Sequence, residues 1–109
     1  MVKAGNLFAQ VSAHSAEEEI LPLVEKPGAR VERIVSTGQG SLPGFWCDQA
    51  WTEWVVVLAG RAALRFEGEA EPRLLGPGDW IEIAPHARHR VEWTDAERPT
   101  VWLAVHLPA

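Results

Sequence analysis

From Ala29 to the end of the chain, short apolar or alternating stretches are cut by turn-forming clusters about every ten residues. No other feature limits the fold as much. Segments this short and this often broken suit β-strands joined by tight turns, not helices. "ARVERIVS" sets Val31, Arg33 and Val35 on one face and Glu32, Ile34 and Ser36 on the other. "WVVVL" is continuously apolar, as a strand buried on both faces would be. "GRAALRFEGE" puts Leu64 and Phe66 opposite Arg65 and Glu67. "WIEIA" brings Ile81 and Ile83 together, and "HRVEW" brings His89, Val91 and Trp93 together. "TVWLAVHL" sets Val101, Leu103 and Val105 opposite Trp102, Ala104 and His106, without saying which row faces inward. The intervening "TGQGSLPG", "EGEAEP", "LLGPGDW" and "TDAERP" are turns. This pattern predicts an all-β antiparallel sandwich or small barrel of about seven or eight strands.

The amino-terminal part reads differently. Ser15 and Glu18 have capping-box spacing, which predicts a short helix over residues 16–25, disturbed by Pro22 and ended by Pro27-Gly28. Residues 1–29 are thus expected to form an N-terminal segment with a short helix, and residues 30–109 the β-domain. The length of 109 residues suits one domain with one core.

A formal net charge of −5 repels phosphate backbones, so nucleic acid is not an expected partner. "MVKAGNLFAQ" has no apolar signal core, and "WVVVLA" is far short of a bilayer span, so no membrane partner is expected. One cysteine, Cys47, cannot build a disulfide framework. Together these features predict a cytoplasmic protein. "GQGSLPG" has neither the third glycine of a dinucleotide fingerprint nor the Gly-Lys-Ser/Thr of a P-loop. Cys47 reads as a small apolar filler rather than a nucleophile.

The remaining chemistry lies in carboxylates and imidazoles. Glu53 shares a face with Val55 and Val57, and His89 shares one with Val91. An inward carboxylate beside an inward histidine is costly unless each satisfies the other or a cation satisfies both. Oxygen and imidazole nitrogen together suit Zn, Fe, Ni or Mn. Asp48, Glu53 and His89 are the candidate ligands, with His86 and His106 as lesser ones. A carboxylate–histidine pair without metal is the alternative.

Two segments resemble the motifs of the cupin superfamily, in particular small single-domain bacterial cupins. Gly40, Trp46, Asp48, Glu53 and Gly60 fall at the spacing of the first motif, with Trp46 and Asp48 standing where that motif has histidines. In "GPGDWIEIAPHARHRVEW", Gly78 and Asp79 occupy the usual turn, Pro85 lies near the proline position and His89 takes the metal-histidine position. Trp93 falls near the motif's asparagine. The resemblance implies a double-stranded β-helix, the cupin jelly-roll barrel, with a ligand cavity inside. It implies a divalent metal ion on Asp48, Glu53 and His89, and Lewis-acid chemistry on a small polar metabolite. The alternative it leaves is a metal-free binding or sensor module whose pocket is lined by Trp46, Gln49, Trp54 and Trp93. It also implies a homodimer.

Overall fold

The computed structural model describes all 109 residues. Eight strands follow one another: β1 (Glu19–Lys26), β2 (Ala29–Ser36), β3 (Thr52–Ala59), β4 (Ala62–Phe66), β5 (Arg73–Leu75), β6 (Trp80–Ile83), β7 (His89–Thr94) and β8 (Thr100–Leu107). Two antiparallel sheets result, one of five strands in the order β1-β2-β8-β3-β6 and one of three in the order β5-β4-β7. No helix is long and apolar enough to cross a membrane.

The alternation read from the sequence explains the layers. Val55 and Val57 of β3, Trp102 and Ala104 of β8 and Ile83 of β6 point to the inside of the large sheet. Ala62 and Leu64 of β4 and Leu75 of β5 meet them from the small sheet. The core is built between the two sheets near these residues, and the polar cavity opens beside it. In β8 the inward row is therefore Trp102, Ala104 and His106, because their register partners Val57, Val55 and Glu53 face the same way.

The short helix over residues 16–25 does not form. Residues 19–26 are β1, the edge of the large sheet, paired antiparallel to β2 from Glu19↔Val35 to Lys26↔Ala29. The residues that read as a capping box bond across to β2 and the residue after it instead. The Ser36 hydroxyl donates to Glu18 Oε2 at 2.7 Å, and the Ser15 amide donates to Thr37 Oγ1 at 3.1 Å. Pro22 is tolerated because β1 is an edge strand and its register slips between Pro22 and Val24, leaving Leu23 as the extra residue.

A second slip reshapes β7. Ala63 pairs with Trp93 but Leu64 pairs with Val91, so Glu92 is inserted as a bulge. The alternation reverses there. His89 and Val91 remain inside, Trp93 is turned out and is 43% exposed, and Thr94 is buried in its stead.

Candidate functional site

A cavity of about 290 Å³ lies at the end of the barrel where β3, β7 and β8 meet β1 and β2. Its apolar wall includes Ile34, Val55, Leu64, Ile83, Val91 and Trp102. Its polar wall includes Glu18, Glu32, Gln49, Cys47, Glu53, His89, Arg90 and His106.

Glu53 is the second residue of β3, directly across from His106 in register. Its Oε1 accepts from Gln49 Nε2 at 2.7 Å, and no arginine, lysine or histidine pairs with it. His89 opens β7 and is only 7% exposed. Its Nδ1 lies 2.8 Å from the Ala87 carbonyl, which can only accept, so Nδ1 carries the proton and Nε2 is left without a protein partner. The ring packs on Phe66 with centroids 5.8 Å apart. An isolated bridge fastens Cys47 beside it, through Cys47 N–H to His89 O at 2.7 Å and His89 N–H to Cys47 O at 3.1 Å. Burial pushes the Cys47 thiol above its ordinary value of 9.0, and the Glu53 and Asp48 carboxylates push it further. The thiol is therefore a neutral wall group at physiological pH.

His106 has no nitrogen to spare. Its Nδ1 accepts from the Trp51 indole at 2.8 Å, because an indole N–H can only donate. Its Nε2–H then donates to Glu32 Oε1 at 2.9 Å. Arg30 lies on the other oxygen of Glu32, with Nε to Oε2 at 3.1 Å. The Glu32 charge is thereby compensated, whereas Glu53 and Glu18 have no cationic partner.

The other expected site residues lie elsewhere. Asp48 turns to the rim, where its Oδ1 meets His86 Nδ1 at 2.8 Å on exposed side chains. His86 sits there in a left-handed conformation, φ 62°, with its N–H bonded to Gln49 O at 2.7 Å. Trp54 faces outward and packs on Trp80 with centroids 5.9 Å apart. Trp46 carries the Arg90 guanidinium over its ring, 5.9 Å from the ring centroid, and is not part of the cavity wall. Gln49 alone of the four expected pocket residues lines the cavity. The sequence reading missed Glu18 and Glu32. Glu32 alternates with Val31 and Arg33, and that alternation already set it beside Ile34, but nothing local marked the row as inward.

These positions do not fit a divalent ion. No group of three or more His, Cys, Asp and Glu side chains comes together in a metal-holding arrangement. Glu53 and His89 share the cavity, while Asp48 is held by His86 and both nitrogens of His106 are engaged.

The cupin-domain family model matches residues 33–106, from the second half of β2 through most of β8. A protein of Ralstonia eutropha JMP134, named a "putative mannose-6-phosphate isomerase", has a crystal structure that superposes with a TM-score of 0.97 at 51% identity, covering 99% of this chain and 100% of its own. This chain is a cupin. A cupin superfamily protein from Desulfitobacterium hafniense DCB-2 shares the fold at TM-score 0.78 and 14% identity, covering 100% of this cupin and 94% of its own chain. The cupin domain of an XRE family transcriptional regulator from Enterobacter cloacae does so at TM-score 0.65 and 19% identity, over 84% of this chain and 97% of its own. No curated protein matches the cupin.

Proposed function

We propose that this cupin binds a compact polar metabolite, uncharged or amine-bearing, in the barrel cavity, with Glu53 and His89 as its polar contacts and no metal ion between them. The carrying observation is the Glu53 carboxylate, which faces the cavity with Gln49 as its one hydrogen-bond partner and no cation beside it. A carboxylate so placed is satisfied by hydroxyl or ammonium donors of a ligand. His89 Nε2 offers an acceptor on the same cavity. The volume of about 290 Å³ is at the lower end for small-molecule sites.

Charge selects within this class. Glu18, Glu32 and Glu53 line the cavity against a single Arg90, whose Nε already lies 3.2 Å from Glu92 Oε1. A phosphate dianion about 6 Å from Glu53 would meet a repulsion on the order of 5 kcal/mol at an effective dielectric of about 20. The name of the Ralstonia relative points to carbohydrate chemistry, and a hexose without its phosphate carries the hydroxyl donors that a free carboxylate accepts from.

The test is calorimetric titration of the protein in chelator with a hexose, the corresponding hexosamine and the corresponding hexose phosphate. The hexosamine is expected to bind best, the phosphate at least about tenfold more weakly, and Glu53→Gln to remove the preference for the amine. Tightest binding by the phosphate, or binding that appears only after a divalent metal is restored, overturns the reading.

A further inference from the structure

The outer face of β2 holds a charge that the barrel cavity does not use. Arg33 lies between Val31 and Val35, across from Leu21 of β1 and Leu103 of β8, and is 7% exposed. The amino-terminal segment covers it, and its Nη1 donates to the carbonyls of Leu7 and Ala9. Its Nε is buried without a hydrogen-bond partner. The Nε atoms of Arg30 and Arg90 are also without a hydrogen bond, but each lies against a carboxylate, Glu32 at 3.1 Å and Glu92 at 3.2 Å. Arg33 has no carboxylate at all. Two carbonyl dipoles offset part of the cost of burying a guanidinium, and an anion offsets far more.

Space for one exists. A cavity of about 410 Å³ separates the amino-terminal segment from β1, with Arg33, Lys3, Leu7, Leu21, Leu23 and Val24 in its wall and no acidic residue. We propose that it is a second binding site, for a carboxylate carried on an apolar body. A carboxylate supplies the counter-charge that the guanidinium lacks, Lys3 adds a second positive charge, and Leu21, Leu23 and Val24 cover the apolar part. One negative charge matches one buried cation, and an apolar wall suits a carboxylate with a hydrocarbon body better than a strongly hydrated phosphate. Glu32 and Ile34 alternate with Arg33 and face the other way, so this site lies across the sheet from the barrel cavity.

Titration of the full-length protein with octanoate, octanol and inorganic phosphate tests this. Octanoate is expected to bind one to one, phosphate and octanol at least tenfold more weakly, and the amino-terminal segment to become protected from protease. Arg33→Gln should weaken octanoate at least tenfold, and Lys3→Ala severalfold with the fold intact. Octanol binding as tightly as octanoate, or no effect of Lys3→Ala and Arg33→Gln, overturns the proposal. So does a dimer in sedimentation that binds no octanoate and dissociates with Arg33→Gln, because a second copy would then supply the counter-charge.

Discussion

Gly60 closes the turn from β3 to β4 with φ 85°, and a side chain there has nowhere to go. An added Cβ would lie 2.5 Å from Thr100 Oγ1, 2.6 Å from Thr100 Cα and 2.7 Å from the Pro99 carbonyl. Thr100 cannot retreat, since its hydroxyl bonds both Arg61 N–H at 3.2 Å and Arg61 O at 3.0 Å. Gly60→Ala should cost about 2–4 kcal/mol in equilibrium urea unfolding. Gly44 has φ 77° but nothing within 4 Å of an added Cβ, so Gly44→Ala should cost only about 1–2 kcal/mol of backbone conformation. Equal costs would show that contact with β8 contributes nothing. Cys47 gives a second residue-scale prediction. The folded protein holds its thiol proton more tightly than the unfolded chain does, through burial first and then Glu53 and Asp48. Alkylation by iodoacetamide should therefore have its midpoint above pH 9.0 in the folded protein, lower after Glu53→Gln, and at the ordinary value in denaturant. By the same sign, stability falls as pH rises past the unfolded value. A folded midpoint at or below the denatured one would contradict the half-buried placement of the thiol beside Glu53 and Asp48.

At the scale of elements, Ser36 fastens three strands' worth of structure. It is fully buried at the end of β2, donates to Glu18 Oε2 at 2.7 Å just before β1, and accepts from Trp102 Nε1 of β8 at 3.1 Å. Ser36→Ala leaves a buried indole N–H unsatisfied and a carboxylate short of a donor. It should cost about 1–3 kcal/mol by thermal or urea unfolding, whereas Ser12→Ala, whose partner Glu19 is at the edge of the sheet, should cost less. The Ser36 contact to Glu18 also explains why the amino-terminal residues extend. Local capping competes with a whole ladder to β2, and the ladder satisfies more backbone groups than one short helix would.

At the scale of the molecule, the large sheet separates two chambers of opposite charge, an inner one lined by three glutamates and an outer one lined by Arg33 and Lys3. The inner chamber does not gather three metal ligands, because His86 holds Asp48 at the rim while Trp51 and Glu32 hold His106. Adding Mn, Ni or Zn ions to chelator-treated protein should leave its melting temperature unchanged, since stabilisation requires tight binding to the folded state alone. A metal-dependent rise that His89→Ala abolishes would show that the donors regroup around an ion.

The β-class, the limits of β2 and the turns that break the chain are legible in the order of residues, because a period of two residues is a property of the backbone and needs no partner to be read. That order also marks Glu53 and His89 as polar residues in apolar rows, and its resemblance to cupin motifs carries the fold. Packing between distant segments fixes which row of β8 faces in, that residues 19–26 pair as an edge strand, that Glu92 bulges and turns Trp93 out, and that Asp48 goes to His86. Each of these depends on a neighbour distant in the chain. A strand's pattern says which side chains travel together, but only the element lying across from it decides which side is covered and which carboxylate finds a partner.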